Sequence, residues 1–596
     1  MVFTSMISSI IGASILIIYF KFFARKKINY LLILLVISIP PIISIFRPGT
    51  YESGDLSLHT MRTMSFYNIL FNEHLLPRWT PEFNMGYGDP HFIFTYFLPY
   101  FIGSVFHFIG FSFLSSIKLL LAFSFILSGL TMYLWSKDEL GEKAGLVAAI
   151  FYLFAPYHLV DLHFRVTIAE TLSFVFLPLL LLLTKKIITQ PTALTIISTA
   201  TCYALLVLTH QVATLTFSPI LASYAIFVWF SKKKREYKDL FAYATAIFLA
   251  LLLSAFYWLP IIFEARYTHE SLMTIDQLQF IQLQNLLYSP WRFGFLFQGN
   301  MGQLSLILGY TQILIIFLSI YMLVKKKFDS RTKPLLLFFL TLFFIFAFFV
   351  LPQSREVWKM IPLHNYVQFS YRLLEPIALF TAIIAGIVIT KWKNKFIIAL
   401  CILTIFYTIL NWGNRRAIPE INSESLIIEF SRKPDVSMGG LEPTSPIWAD
   451  LEKSKLRTKP LNHVEIVSGS GKIKELSRNS IEHKYIISAE SKIKIKENTL
   501  YFPGWTLLIN GKPHKIAYTE KDSPGVIFFS LNRGLYEAQL VFQNTKERTF
   551  SLFVSIITSI LIVLTLSFSI LKKHIAISLL SNNTNVSRTK RKRKLT

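Results

Sequence analysis

The stretch AGLVAAIFYLFAPYHLVDLHFRVTIAETLSFVFLPLLLLLT, residues 144–184, contains two apolar runs separated by a short polar segment. The runs, 144–160 and 168–184, are each long enough for a helix that crosses a bilayer. The segment between them, DLHFRVT, places several ionisable side chains at the same end of both runs. Because charge is costly inside a bilayer and tolerated at its surface, the stretch predicts a transmembrane helical hairpin with a polar turn.

The same alternation continues over most of the 596 residues, of which 53% are hydrophobic and 16% charged. Such a composition is typical of an integral membrane protein. We predict thirteen transmembrane helices, at 5–23, 28–46, 114–135, 144–160, 168–184, 192–210, 212–230, 240–258, 304–324, 335–351, 373–390, 396–412 and 550–571. The predicted fold class is therefore an α-helical polytopic membrane protein embedded in a lipid bilayer.

The net charge of +26 comes mainly from basic clusters beside the predicted helices. Clusters of Lys and Arg next to apolar runs include ARKK, SKKKREYK, KKKFDSRTK, KWKNK and the tail RTKRKRK. Basic loops favour the cytoplasmic side of a membrane, and the predicted helices place all these clusters on that side. We therefore predict a cytoplasmic basic tail over 572–596 and no nucleic-acid partner. Cys202 and Cys401 lie in apolar runs far apart, so no disulfide is expected.

One apolar stretch, from His91 to Gly110, breaks the alternation. Counting it as a full crossing would move two basic clusters to the outer side. Pro90 and Pro99 also disfavour an uninterrupted helix. We predict a broken or surface-lying helix on the outer face.

The predicted topology gives a transmembrane region over 1–412 with outer loops at 47–113, 261–303 and 352–372. The polar region 413–548 alternates apolar and polar residues in short runs such as HVEIVS and YEAQLVF, which is typical of β-strands. Asn510-Gly511 between two such runs predicts a tight hairpin. We predict an extracytoplasmic antiparallel β-sandwich, followed by the last helix at 549–571.

Ionisable residues outside the basic clusters gather at the predicted outer ends of helices. They are Asp55, Asp89, His91, Asp161, His163, Arg165, Glu170, His210, Glu264, Arg266 and Arg372. Structural explanations exist for several: Asp55 could cap the helix LSLHTMRTMSFYNILF, Arg165 could pair with Glu170, and Arg372 could reach the interface from a helix end. The histidines, including His59, lack the spacing of a zinc site.

Several motifs of the sequence resemble those of a known protein family. GDLSLHTMR (54–62), LPRWTPEFNMGYGDPHFIFTYFLPY (76–100) and YLFAPYHLVDLHFRVTIAETLSFVFLPLLLL (152–182) occur in the order found in bacterial 6-pyruvoyl-tetrahydropterin synthase-related membrane proteins. The similarity continues through LTHQVATLTF, SAFYWLPIIFEA and VQFSYRLLEP to YFPGWTLLINGKP. Members of this family resemble GT-C glycosyltransferases, which use isoprenoid-phosphate sugar donors at the outer face of the membrane.

The resemblance implies roles for particular residues. Asp55 matches the acid of the first outer loop and would be the catalytic base of an inverting transfer of a hexosyl or related group. Arg165 and Arg372 would bind the donor phosphate. Glu170, Asp89 and His59 would act as orienting groups or a second acid. Many GT-C members have Asp-Glu in this loop, whereas Leu56 follows Asp55 here.

These roles imply a polyprenyl-phosphate sugar donor and a glycan, lipid or protein acceptor in a bacterial cell membrane. No cofactor is required by the sequence, and a divalent metal is left open.

Two other classes fit a polytopic chain. A transporter or flippase for lipid-linked sugars would need functional polar residues near the middle of the membrane, and the predicted helices contain few. A non-catalytic scaffold would bind envelope glycans through the β-domain, with Trp505 as a stacking residue, although Trp505 also suits a buried strand position.

Overall fold

The computed structural model describes residues 2–23, 28–73, 76–269, 278–361, 367–413, 416–432, 443–450 and 458–568. The basic cluster at 24–27 and the predicted cytoplasmic tail lie outside the described residues.

Long helices form most of the chain before residue 413. They are α1 Val2–Phe22, α2 Tyr30–Ile43, α3 Leu56–Asn68, α4 Leu98–Phe108, α5 Phe113–Leu140, α6 Glu142–Leu153, α7 Ile168–Thr189, α8 Ala193–Thr209, α9 Gln211–Ser231, α10 Tyr237–Leu253, α11 Ala255–Glu264, α12 Tyr310–Val324, α13 Thr332–Val350, α14 Leu374–Ile389 and α15 Asn394–Phe406. Two more helices follow, α16 Ser423–Arg432 and α17 Lys546–Phe568.

Each of the thirteen predicted spans coincides with one or two of these helices. Among the described residues, 8 helices are long and apolar enough to cross a membrane, or up to 10 if each of two bent pairs is one span. α2, α8 and α12 are apolar but shorter. A polytopic helical architecture is therefore confirmed, while the total of thirteen stays a prediction.

One of the two bent pairs forms part of the site described below. α6 ends at Leu153, a helix resumes at Pro156, and the two parts are bent by 50°. The break is expected there because proline cannot donate the backbone hydrogen bond of a helix interior and is favoured in a first turn. The second part ends as a π-helix, Asp161–Arg165, followed by Val166 in the left-handed region at φ 59°.

The stretch 91–110 is broken, as predicted. A short helix, His91–Phe94, is separated by three residues from α4, and Pro99 lies in the first turn of α4. Its side of the membrane stays a prediction.

The β-strands are β1 Thr50–Tyr51, β2 Ala417–Ile418, β3 Val464–Ser468, β4 Gly471–Arg478, β5 Glu482–Ala489, β6 Ile493–Leu500, β7 Trp505–Ile509, β8 Lys512–His514, β9 Val526–Leu531 and β10 Gly534–Phe542. β4-β5-β10-β7-β8 and β3-β6-β9 form two antiparallel sheets. Residues of both sheets share one apolar cluster. The predicted hairpin is confirmed, because Ile509 pairs with Lys512 and both turn residues have positive φ.

The first part of the predicted β-region belongs structurally to the helical part. β2 pairs with β1, and α16 packs against α3. The two larger sheets begin only at Val464. They contact the helical part of the chain through Trp79, which meets Trp505 edge-to-face at 5.3 Å. Trp505 is 4% exposed, so it is a buried strand residue and cannot stack on a sugar.

Candidate active-site cavity

A cavity of about 610 Å³ opens where α3, α7, α9 and several loops meet. This volume suits a small polar ligand or part of a larger one. Five residues predicted for the site line it together: Asp55, His59, Arg165, Glu170 and Arg372. They come from segments separated by more than three hundred positions, so the fold itself creates the site.

Backbone hydrogen bonds fix Asp55 in the cavity wall. Gly54 N donates to Phe164 O at 2.7 Å, and Asp55 N donates to Arg165 O at 3.0 Å. A π-helix that ends in a left-handed residue leaves carbonyls at its end without helical partners, so these two oxygens are available. The loop before Asp55 is held from the other side by Lys118, whose Nζ donates to Arg47 O and Gly49 O at 2.6 Å each.

Asp55 occupies the N-cap position of α3, as its structural explanation predicts, but its side chain makes no capping hydrogen bond. Among the described residues, none donates a hydrogen bond to its carboxylate. Burial raises the pKa of Asp55, and the nearby guanidinium groups of Arg62, Arg165 and Arg372 oppose this shift. The carboxylate therefore faces the cavity as an available acceptor with increased proton affinity.

Glu170, at the start of α7, is the centre of a buried ion-pair cluster. Its Oε2 accepts from Arg165 Nη1 at 2.7 Å, and its Oε1 accepts from Arg165 Nη2 at 3.2 Å and from Arg372 Nε at 3.1 Å. Tyr157 and Asp161 add further contacts, because the Tyr157 hydroxyl donates to Glu170 and Arg165 donates to Asp161. The prediction that Arg165 pairs with Glu170 is confirmed.

The two arginines differ in what remains available to a ligand. Arg165 uses its guanidinium for Asp161, Glu170 and the Tyr157 hydroxyl. Arg372 uses Nε for Glu170 and Nη1 for Val367 O at 3.0 Å. No described residue accepts a hydrogen bond from Arg372 Nη2. Arg372 can thus bind an anion directly, whereas Arg165 mainly holds Glu170 in place.

The histidines of the cavity are neutral supports. His59 contacts the Tyr100 hydroxyl through Nδ1 at 3.0 Å, and burial lowers the pKa of His59 to about 3. His210 caps α9, because its Nδ1 accepts from Ala213 N at 3.2 Å. Its proton therefore lies on Nε2, which is 3.9 Å from Glu170 Oε1.

Asp89 is placed outside the cavity lining. It is fully buried and accepts hydrogen bonds from the Ser445 hydroxyl at 2.7 Å, the Thr444 hydroxyl at 2.8 Å and Asn84 Nδ2 at 3.2 Å. This position does not favour Asp89 as a second acid that touches substrate. Its carboxylate instead organises the wall of the cavity behind Thr444.

Two other residues predicted at outer helix ends make contacts outside the cavity. Glu264 pairs with Arg548 at the start of α17, with 2.7 Å between Oε2 and Nη2. Arg266 lies over the ring of Tyr267. Neither belongs to the cavity lining.

Arg62 is a cavity residue that was not predicted. Its spacing contained a signal, because Asp55, His59 and Arg62 follow each other at intervals of four and three residues and so share one face of a helix. The guanidinium lies over the ring of Phe83 at 5.7 Å and lowers the pKa of Asp55.

The cavity suits an anion better than a metal ion. No group of three or more His, Cys, Asp and Glu side chains that could hold a metal occurs within the described part of the chain. Glu170 and Asp161 are bound by arginine, and the charges of three guanidinium groups act on Asp55. These residues do not fit a divalent cation, and no reaction step is assigned to one.

The apolar helices, with a polar cavity at one end, define a multi-pass membrane protein. The chain belongs to the family of membrane proteins that carry the 6-pyruvoyl-tetrahydropterin synthase related domain, whose family model matches residues 94–416. This confirms the family predicted from the sequence motifs.

An uncharacterized protein of Lactococcus lactis subsp. cremoris (strain MG1363) is 24% identical over 247 residues, which are 40% of each chain. Among solved structures, the arabinofuranosyltransferase AftD from Mycobacteria is similar with a TM-score of 0.40 and 14% identity, over 64% of this chain and 27% of that one. The Archaeoglobus fulgidus oligosaccharyltransferase is similar with a TM-score of 0.40 and 13% identity, over 70% and 57%. These TM-scores are low, so neither similarity defines the activity of this chain.

Proposed function

We propose that the protein is a membrane glycosyltransferase that moves a sugar from a polyprenyl-phosphate donor to a cell-envelope acceptor at the outer face of the membrane. One observation carries the proposal: an available carboxylate, Asp55, and an available guanidinium nitrogen, Arg372 Nη2, line the same cavity. A transfer from a phosphate-linked sugar needs both a base for the acceptor and a cation for the leaving group.

Asp55 is the proposed general base. An acceptor hydroxyl gives its proton to the Asp55 carboxylate while its oxygen forms a bond to the anomeric carbon of the donor sugar. The bond from that carbon to the phosphate oxygen breaks, and both of its electrons leave with the polyprenyl phosphate. Direct attack from the opposite side of the sugar inverts the anomeric centre. The raised pKa of Asp55 increases its capacity to accept the proton.

Arg372 is the proposed ligand of the donor phosphate. The leaving phosphate gains one negative charge in this reaction, and a charge-assisted hydrogen bond from a guanidinium offsets that charge. Glu170 fixes the plane of the guanidinium through Nε, so Nη2 keeps one direction. Arg165 holds Glu170 by two hydrogen bonds and adds positive charge behind it.

A lipid-linked donor accounts for the position of the site among membrane helices. A polyprenyl chain stays in the bilayer, so only its sugar phosphate needs to enter a polar cavity at a helix end. Binding energy from the lipid would then position the anomeric carbon beside Asp55. By the charge rule for loops, the cavity and the β-domain face away from the cytoplasm of a bacterial cell.

The test is sugar release from a panel of undecaprenyl-phosphate-linked sugars in nanodiscs. The wild type should turn over at least one donor, and Asp55→Asn should lower its rate roughly 10²- to 10⁴-fold. Glu52→Gln is the matched control, because Glu52 is an exposed carboxylate of the same cavity lining. An Asn variant with wild-type turnover would refute the assigned base, and a wild type inactive on every donor would refute the function.

A further inference from the structure

A line of four side chains connects the cavity with Asp89. The Thr444 hydroxyl donates to Asp89 Oδ1 at 2.8 Å, His91 Nδ1 lies 3.4 Å from the Thr444 oxygen, and the Thr95 hydroxyl lies 3.1 Å from His91 Nε2. Thr95, His91 and Thr444 line the cavity. The proposed reaction so far uses none of these groups.

One arrangement of hydrogens satisfies all four groups of this line. Asp89 accepts from Thr444, so the Thr444 oxygen is left as an acceptor for His91 Nδ1–H. Burial, together with the charge of Arg62, lowers the pKa of His91 well below its ordinary value. A neutral imidazole with its proton on Nδ1 accepts at Nε2, and in this arrangement the Thr95 hydroxyl donates to that nitrogen at 3.1 Å.

The Thr95 oxygen is therefore presented to the cavity as an acceptor. In this arrangement its hydrogen is directed to His91 Nε2, and His91, whose Nδ1 lies 3.5 Å away and is directed to Thr444, is the one side-chain partner of the Thr95 hydroxyl among the described residues. A ligand group that meets Thr95 favourably must be a hydrogen-bond donor. Among groups that fit a cavity with an anion-binding end, a sugar hydroxyl has this property, whereas a second phosphate oxygen does not.

This line of hydrogen bonds is not needed to attach the segment around residue 444 to Asp89. Ser445 and Asn84 already attach the segment around residue 444 to Asp89, and they also bond to each other. Thr444 and His91 extend the contact inward to the cavity lining, where Thr95 ends it. His91 is 2% exposed and packs against the ring of Phe83 at 4.7 Å, which limits its rotation.

We infer that Thr95, oriented by His91, Thr444 and Asp89, forms a carbohydrate subsite that accepts a hydrogen bond from one sugar hydroxyl. This subsite rests on the proposed function and deepens it, because it assigns a specificity-determining residue to the same cavity. The ring that it recognises belongs to the donor sugar or to a glycan acceptor, which share this chemistry. Asp89 is a positioning residue in this scheme.

The first arm of the test measures donor binding. Affinities of undecaprenyl phosphate with and without an attached hexose or pentose are compared for the wild type and Thr95→Val, which keeps the shape and removes the hydroxyl. For donor recognition, Thr95→Val should weaken the sugar-bearing lipid roughly three- to tenfold and leave the sugar-free lipid unchanged. Thr216→Val is the control, since Thr216 bonds only within α9 and lies outside the cavity lining.

The second arm measures the KM of octyl glycoside acceptors with a donor that the wild type uses. A higher KM for Thr95→Val with unchanged donor binding assigns the subsite to the acceptor. An active protein in which Thr95→Val changes neither quantity would overturn the subsite while the proposed function stands. A wild type that neither binds nor uses any donor would overturn both. Asp89→Asn should reproduce the direction of the Thr95→Val effect if the line of hydrogen bonds orients Thr95.

Discussion

The backbone nitrogen of Asp55 donates to the backbone oxygen of Arg165 at 3.0 Å, so the proposed base is bonded to the residue that organises the cationic side of the cavity. Two segments more than a hundred residues apart thereby share one rigid junction. Side chains can change rotamer, but this bond and the neighbouring one from Gly54 N to Phe164 O fix the backbone. The distance between base and cations is thus a property of the fold, which favours preorganised catalysis.

Gly54→Ala should loosen this junction. A Cβ at residue 54 would lie 2.8 Å from Arg165 O and 3.4 Å from its Cα, so one of the two segments must move. Since small displacements of a catalytic group are costly, we expect transfer to fall by roughly tenfold or more while Asp55 remains present. Turnover by Gly54→Ala is compared with that of Gly12→Ala, whose new Cβ would meet Pro40 at an ordinary 3.5 Å. Equal activity of the two variants would show that the junction does not control the base.

The loss of activity at acidic pH should report the protonation of Asp55. The base must be ionised, so activity is lost as pH falls through its raised pKa. Arg62 lowers the pKa of Asp55, and Arg62→Gln should therefore move the acid limb of kcat/KM to higher pH, by up to about one pH unit. The profile is measured beside that of Arg266→Gln, an arginine outside the cavity lining.

The sign of the linkage separates this effect from acid unfolding. A carboxyl whose pKa is higher in the folded state binds its proton more tightly there, so protonation of Asp55 favours the folded protein. Activity lost at the acid limb should return fully when the pH is raised. An acid limb that stays in place in Arg62→Gln would contradict the assignment.

Local sequence patterns predicted the elements that depend on local chemistry. Runs of apolar residues located the helices, and Asn510-Gly511 located a two-residue hairpin because both positions need positive φ. Asp55 at the N-cap position of α3 was also predicted from local sequence, because aspartate is favoured at the start of a helix. The π-helix at Asp161–Arg165 was not predicted, since no residue type marks it and its register depends on the segment bonded to it.

Site predictions were correct where the interacting residues are close in the sequence and incomplete where they are far apart. Arg165 and Glu170 are five positions apart, and their pairing was predicted. Asp89 was predicted as an orienting group or a second acid, and its burial was missed because its partners, Thr444 and Ser445, lie more than 350 positions away. Arg62 was missed because a basic residue on a polar helix face resembles an ordinary surface charge. A single sequence contains no record of which distant groups neutralise one another.

The ion pair between Glu264 and Arg548 should hold the β-domain and α17 against the helical part. Arg548 is fully buried and also donates to Pro503 O at 2.8 Å. Removal of one partner leaves a buried charge, which typically costs about 3–5 kcal/mol. We expect Glu264→Gln to lower the thermal midpoint in detergent by several degrees, whereas Lys546→Gln, at an exposed position of the same helix, should not.

A double variant tests the cause of that loss. Glu264→Met combined with Arg548→Met removes both charges and should be more stable than either single variant, because no unpaired charge remains. A double variant whose loss equals the sum of the two single losses would show that the ion pair contributes no coupling.

Arg372 should control the affinity of the cavity for the phosphate. Its Nη2 is available, and loss of a charge-assisted hydrogen bond is worth roughly 10- to 100-fold in affinity. We expect Arg372→Gln to weaken binding of sugar-free undecaprenyl phosphate to this extent, while Arg266→Gln binds like the wild type. Arg372→Lys should rescue only part of the loss, because an ammonium group cannot bond to Glu170 and the phosphate in the same planar geometry. Unchanged phosphate affinity in Arg372→Gln, with folding shown by a normal thermal midpoint, would move the phosphate away from Arg372 and require another cation of the cavity to hold it.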